Sequence, residues 1–330
     1  MEIPNTKRTT IQGNPSCAMA HDGFGFRQQN YHNQQDKSTI KYIMQKLFEL
    51  NNLRCSYDKN YHEGASRVVL EIEHLAIPRG KKIFIVGESG IGKSTILETL
   101  GMMNNTIVPG DPTRFVFYDG EKELDLKSMW KKSDRTLSDF RLKNYSFIFQ
   151  STNLMRNFTA FENIAFTRML QGFSRFSCFQ RTRKVLADLG LEHVDEKRMS
   201  QELSGGQQQR LAFARAIVPD FTVLFGDEPT GNLDAENAVR VMEILTQKLN
   251  EHQGSSAIIV SHDMHLAVTF ADVIVKIRKC IRPKQHEDDE DITYGVCNDT
   301  CVYHKGEDNQ WTNGVEHYAP NDFEEFLRKK

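Results

Sequence analysis

Four apolar residues, Ile83, Phe84, Ile85 and Val86, run into Gly87-Glu88-Ser89-Gly90-Ile91-Gly92-Lys93-Ser94-Thr95 and then into the helix-like stretch Ile96–Leu100. The spacing G-x-x-x-x-G-K-[ST], between a strand and a helix, suits the binding of a polyphosphate. Glycines let successive backbone N–H groups turn inward around phosphate oxygens, and the helix start adds the positive end of its dipole. Lys93 is placed to reach the β and γ phosphates, and the Ser94 hydroxyl to ligate Mg²⁺. A nucleotide site is therefore expected, although a phosphate loop alone does not separate ATPases, GTPases and kinases.

Further along, Leu203-Ser204-Gly205-Gly206-Gln207-Gln208-Gln209-Arg210 precedes a helix-like run from Leu211 to Val218. Ser204 has the chemistry of an N-cap, and two glycines at a helix start permit close backbone approach, so this is a second anion-binding pattern. Phe221–Phe225 reads as a buried strand followed by Gly226, Asp227 and Glu228.

At this point the sequence resembles the ATP-binding cassette (ABC) family, whose signature is LSGGQ. In that family the signature residues, here Ser204, Gly205, Gly206 and Gln207, close over the ATP held by the phosphate loop of another subunit. The resemblance implies that Asp227 is the Mg²⁺-linked acid of the Walker B motif and that Glu228 is the general base polarising the attacking water. Gly226 stands where the family often has alanine. Pro229–Asp234 resembles the D-loop at the subunit boundary, with Asp234 as its acid. His262, after the apolar run Ala257–Val260, resembles the switch histidine that contacts the γ phosphate. Gln150, after Ser146–Phe149, matches the glutamine that touches Mg²⁺ and water, a task a neutral amide performs without adding charge. Tyr57 is the expected aromatic platform for adenine, with Tyr61 as the competing candidate.

The resemblance covers roughly residues 47–282. Phe149–Leu154, Phe158–Asn163, the three glutamines after Gly206 and Asp227–Asp234 are most similar to one bacterial branch, that of the lipoprotein-release, macrolide-export and cell-division ATPases. It implies an ATP-hydrolysing subunit that pairs head to tail with a second copy of itself and drives a separate integral membrane permease, with ATP and Mg²⁺ as cofactors. Two other classes stay open: a soluble ABC ATPase acting in translation or DNA repair, and a regulatory module that holds ATP with little turnover.

The elements that must position these residues follow from pattern. Apolar runs at Leu47–Leu50, Val68–Leu75, Ile83–Val86, Ser146–Phe149, Val223–Phe225 and Ala257–Val260 alternate with helical stretches, which predicts an α/β domain with a mostly parallel central sheet. The family adds an antiparallel β subdomain and a helical subdomain over about 151–218. Thr159 with Glu162 is a capping-box pattern at the start of that insertion, and Pro219 closes it. No apolar run exceeds four residues, well short of the roughly 20 that a membrane-spanning helix needs.

Lys and Arg number 42 against 44 Asp and Glu, so no basic field exists to hold a nucleic acid. Hydrophobic residues at 39% and charged residues at 26% fit an ordinary globular chain rather than a disordered one. The polar first 40 residues lack the apolar centre of a secretory signal, so a cytoplasmic protein is expected, and the resemblance implies a peripheral place on the inner face of the membrane. Its six cysteines are then expected as thiols. The chain divides, on this reading, into a polar extension at 1–45, the cassette at 46–282 and an acidic extension at 283–330. That last segment holds twelve acidic residues against five Lys or Arg, which marks it as a separate electrostatic unit. Cys297 and Cys301, with His304, His286 and His317, offer soft metal ligands. The other reading is a small accessory element ending in a helix at Asp322–Lys330.

Overall fold

The computed structural model describes residues 46–58, 68–109, 112–194, 196–252, 254–282 and 291–329. The expected N-terminal extension, Tyr61 and His286 lie outside the described residues. In chain order the strands are β1 (Lys46–Ser56), β2 (Val68–Pro78), β3 (Lys82–Val86), β4 (Arg114–Asp119), β5 (Lys122–Asp125), β6 (Tyr145–Ile148) and β7 (Val223–Asp227). They continue with β8 (Ser256–Val260), β9 (Val273–Lys276), β10 (Arg278–Arg282), β11 (Ile292–Cys297), β12 (Val302–Lys305), β13 (Trp311–Thr312) and β14 (His317–Tyr318). The helices are α1 (Lys93–Leu100), α2 (Leu126–Met129), α3 (Asp134–Asn144), α4 (Ala160–Leu170) and α5 (Arg175–Asp188). After them come α6 (Gly205–Ile217), α7 (Ala235–Glu251), α8 (Met264–Phe270) and α9 (Pro320–Arg328).

One sheet has the order β14-β13-β12-β9-β3-β8-β7-β6, and the part from β9 to its end at β6 is parallel. Strand periodicity explains why this part reads as unbroken apolar runs. Ile83 and Ile85 face one apolar cluster with α1, whereas Phe84 and Val86 face another with α6, α7 and α8. A parallel strand covered on both faces has no polar side to show. The second sheet, β10-β11-β2-β1-β4-β5, is antiparallel except where β11 runs parallel to β2. Phe48, Phe117, Tyr145 and Phe225 join the two sheets, with the Tyr145 and Phe225 rings 5.0 Å apart edge to face.

Between β6 and β7 lies the helical insertion. Its first helix, α4, starts on the capping box read from sequence: Thr159 Oγ1 accepts from Glu162 N at 3.1 Å and Glu162 Oε2 accepts from Thr159 N at 2.9 Å. Asn163, fully buried, accepts from Met155 N and donates to the carbonyls of Met155, Phe158 and Thr159, which fixes the chain entering α4.

The acidic tail does not stand apart as its charge pattern suggests. Strand β11 adds to the edge of β2, and β12 pairs antiparallel with β9, so residues 291–329 extend both sheets. Trp311, Phe323 and Leu327 are buried with Tyr303 in the same cluster that covers the parallel sheet. The acids that dominate the composition, such as Glu307, Asp308 and Glu325, lie at the surface, and the few large apolar residues decide the packing. A group of three or more His, Cys, Asp or Glu suited to a metal is absent among the described residues.

Candidate nucleotide site

The phosphate loop connects β3 to α1. Gly92 is the N-cap of α1 and holds φ at +91°, a left-handed conformation that side chains resist; an added Cβ would also sit 3.0 Å from the Val69 carbonyl oxygen. With no capping side chain at Gly92, the first N–H groups of α1 are left for a ligand. Lys93 is 6% exposed and folds back so that Nζ donates to Gly87 O at 3.0 Å and Glu88 O at 2.5 Å. Burial lowers its pKa, and the nearby Glu228 and Asp227 carboxylates oppose that shift without cancelling it.

Adjacent strands deliver the rest. Gln150 follows β6, Asp227 ends β7, Glu228 comes next, and His262 follows β8, so all lie at the C-terminal edge of neighbouring parallel strands, where α/β sheets place ligands. Ser94 Oγ donates to Asp227 Oδ1 at 3.4 Å. Burial raises the Asp227 pKa; the Ser94 hydrogen bond pulls it down and the Glu228 charge pushes it up further. Glu228 adopts φ +49° while its N–H bonds to Val260 O at 3.0 Å. Its carboxylate is held from both sides: His262 Nε2 lies 2.9 Å from Oε1, and Gln150 Nε2 donates to Oε2 at 3.2 Å. Left-handed backbone at a non-glycine residue is unfavourable, and here it aims the carboxylate back across the strand ends.

Other expected residues sit farther from this centre. Tyr57 follows β1 with half of its surface exposed, and its hydroxyl meets Thr95 Oγ1 and Glu98 Oε2, both at 3.1 Å, so the ring stands beside α1. Ser204 caps α6 in a capping box with Gln207, at 3.4 Å and 3.0 Å. Cβ atoms added at Gly205 or Gly206 would meet nothing within 4 Å among the described residues. Asp234 caps α7 through Asn237 N at 2.9 Å. The fold thus brings Lys93, Ser94, Gln150, Asp227, Glu228 and His262 together, while the side chains of Ser204, Gln207 and Asp234 hold local helix caps.

Two contributors are not readable from the sequence. Arg215, on the signature helix α6, donates to the carbonyls of Thr152 at 2.9 Å and Asn153 at 2.6 Å, tying α6 to the segment after Gln150. Lys279, on β10, pairs with Glu88 of the phosphate loop at 2.9 Å.

A glycine-rich loop after a parallel strand, with two carboxylates ending the strand beyond its neighbour, defines a P-loop nucleotide-binding α/β protein. The family model described as ABC transporter matches residues 70–231. The chain is 37% identical over 217 residues to the lipoprotein-releasing system ATP-binding protein LolD of Idiomarina loihiensis, covering 65% of this chain and 90% of that protein. It is 36% identical over 222 residues to the macrolide export ATP-binding/permease protein MacB of Aggregatibacter actinomycetemcomitans, covering 67% of this chain and 32% of that longer protein. A dimeric structure of MJ0796, a bacterial ABC transporter cassette, superposes with a TM-score of 0.59 at 28% identity, covering 70% of this chain and 94% of the other. A post-hydrolysis state of the same cassette bound to ADP and Pi gives the same values. The chain belongs to the ATP-binding cassette family of transporter ATPases.

Proposed function

We propose that this chain is the ATP-binding and ATP-hydrolysing subunit of a membrane transport or mechanotransmission complex, paired head to tail with a second copy and driving a separate integral membrane permease from the cytoplasmic face. The observation that carries the catalytic part is the Glu228 carboxylate, gripped by Gln150 and His262 beside Lys93 and Asp227. In this reading the loop N–H groups and Lys93 take the β and γ phosphates in place of the Gly87 and Glu88 carbonyls. Tyr57 stacks on adenine. Glu228 orients and deprotonates the attacking water in line with the leaving oxygen, His262 steadies that carboxylate and donates to the γ phosphate, and Gln150 follows the water. Mg²⁺ fits the donor set: one hydroxyl and one carboxylate within 3.4 Å, to be completed by phosphate oxygens and water. When bound it would neutralise charge on the phosphates.

Open space over Gly205 and Gly206 supports the pairing. Packing among the described residues does not account for the missing side chains, whereas a phosphate approaching the N-terminus of α6 from a second copy does. The dimeric MJ0796 cassette supports the same reading. Asp234 then borders the seam. The permease contact is assigned to a cleft of about 490 Å³ lined by Thr152, Asn153, Arg156, Ser200, Gln201 and Gln208, next to Gln150 and roped to α6 by Arg215. Among the described residues no helix is long and apolar enough to cross a membrane. Release of inorganic phosphate from Mg–ATP by the full chain, suppressed by a chelator, tests the proposal. ATP binding with no release above a Glu228→Gln control contradicts it.

Ser204→Ala separates the two tasks of that hydroxyl. Loss of the cap is expected to cost about 1 kcal/mol of stability, readable as a lower Tm, and turnover is expected to fall while ATP binding to isolated protomers stays intact.

Asp227→Asn has a pH signature. Because burial raises the folded-state pKa above the ordinary 3.8, the stability this group contributes is present below that value and is lost as pH rises through the raised one. Near pH 7 the nucleotide-free fold therefore carries an unfavourable buried charge. The Asn variant is expected to melt higher than the parent in Mg²⁺-free buffer at neutral pH, with the gap closing as pH falls, and to lose Mg–ATP turnover. Thermal melts across pH and phosphate-release assays check both parts.

A further inference from the structure

Three neighbouring strands of the second sheet, β10, β11 and β2, present one row of residues to the phosphate loop. Gly295 on β11 pairs with Lys279 on β10 at one side and with Leu70 on β2 at the other. Residues in register across a sheet share a face, and each member of this row meets a different part of the loop. Lys279 Nζ pairs with Glu88 at 2.9 Å. Leu70 lies behind Gly92, where an added Cβ would come within 3.1 Å of the Leu70 Cβ. Between them, a Cβ on Gly295 would collide with the Ile91 carbonyl oxygen and stand 2.8 Å from Ile277 Cγ2. Only a residue without a side chain leaves room there for that carbonyl.

We propose that Gly295 is a positioning residue for ATP: by letting β11 lie directly against the Ile91 carbonyl, it fixes the Ile91–Gly92 peptide with its N–H aimed at the bound phosphates. The inference rests on reading residues 87–95 as the phosphate loop. In a trans peptide the C=O and N–H point in opposite directions. A carbonyl pressed towards β11 therefore sends the Gly92 N–H to the far side of the loop, into the cradle of backbone donors. Gly92 is also the N-cap of α1, so this N–H stands at the positive end of the helix dipole. Anything that pushes the Ile91 carbonyl away from β11 rotates the peptide and turns that donor off the phosphate.

The wall has little room to give. Ile91 is 1% exposed and is buried in one cluster with Leu70, Ile277 and Cys297. Ile277 N donates to Val86 O at 2.9 Å, and the Ile277 carbonyl would stand 2.8 Å from a Cβ on Gly87, so the first glycine of the loop is backed by the same group of residues. In an interior packed this closely a displacement is passed on to the neighbour rather than absorbed. Lys279 and Gly295 both lie beyond residues 70–231, the stretch matched by the family model, so the segment after the cassette motifs contributes to the shape of the nucleotide site.

Gly295→Ala and Val296→Ala in the full chain are compared with the parent by isothermal titration with ATP, steady-state kinetics and thermal melts. Val296 points to the opposite face of β11, so its truncation loosens the strand without touching the loop. Gly295→Ala is expected to raise the Kd for ATP about tenfold or more, the loss of one charge-assisted hydrogen bond. KM should rise with it, while kcat at saturating ATP stays within threefold, because Gln150, Glu228 and His262 stand at the ends of other strands. Val296→Ala should lower Tm and leave the Kd within threefold of the parent. A parental Kd in Gly295→Ala, a fall in kcat with unchanged KM, or an equal rise in Kd in Val296→Ala overturns the proposal. Hydrogen exchange of the parent chain supplies a test that needs no variant to fold. ATP is expected to slow exchange in peptides covering 292–297 together with those covering 87–95, and protection that stops at the loop overturns the proposal. A parent chain that binds no ATP rejects the phosphate-loop reading and the role of Gly295 with it, whereas a parent that binds ATP no better than Gly295→Ala does rejects the role of Gly295 alone.

Discussion

Glu228→Gln is expected to lower kcat for ATP hydrolysis by about 10²–10⁴-fold, the usual range for removing a positioned general base, while ATP still binds. The expectation follows from geometry. Gln keeps the size of the side chain, and it meets both neighbours, which lie 3.2 Å and 2.9 Å from the two carboxylate oxygens, once the Gln150 amide flips or His262 presents an unprotonated Nε2 to the new amide donor. It cannot take a proton from water. The left-handed backbone at this position is set by the Val260 hydrogen bond and the turn into Pro229 rather than by the side chain, so the variant should fold normally. Rapid-quench measurement of ADP formation, with nucleotide affinity measured separately, distinguishes loss of chemistry from loss of binding. Unchanged kcat would remove Glu228 from the mechanism.

The second large effect is expected at Lys93. Lys93→Ala should raise the Kd for ATP by about 10²-fold or more, because two or more charge-assisted hydrogen bonds of roughly 1.5–3 kcal/mol each disappear. The ammonium also spans the loop from Gly87 O to Glu88 O, so the variant loses the group that holds the loop in shape. Lys93→Arg should not rescue affinity, since a planar fork does not fit a pocket built around a compact ammonium. Isothermal titration with ATP, with thermal melts as a folding control, checks this. A Kd within threefold of the parent would contradict the assignment.

The parts legible in the sequence share one property: their chemistry is local. Residues 87–95 announce a phosphate loop because strand, glycines, lysine and helix follow one another without interruption, and the parallel strands announce themselves because burial on both faces leaves continuous apolar runs. The Thr159–Glu162 box is equally local, and it caps α4 as read. Residues joined by distant pairing were not legible. Strand β5 has four residues and is largely exposed, so it shows no distinctive period, and the apolar run Phe115–Tyr118 of β4 does not reveal that its partner is β1 in an antiparallel pair. The charge of the tail does not reveal its placement, which depends on where Trp311 and Phe323 are buried and on β11 pairing with β2, more than 200 residues earlier in the sequence. Arg215 looks like any surface arginine until folding brings Thr152 and Asn153 to it. Asp234 shows the reverse case. Its motif implies a place at the subunit boundary but not the task its side chain performs within the chain, which is to cap α7.

In the proposed pairing, two copies share each ATP between the phosphate loop of one and Ser204–Gln207 of the other. Sedimentation of the Glu228→Gln protein with ATP, and in parallel with ADP, tests it most directly. The prediction is a species of twice the protomer mass with ATP and of single mass with ADP, with Ser204→Ala weakening the former. A single-protomer mass under saturating ATP contradicts the shared site.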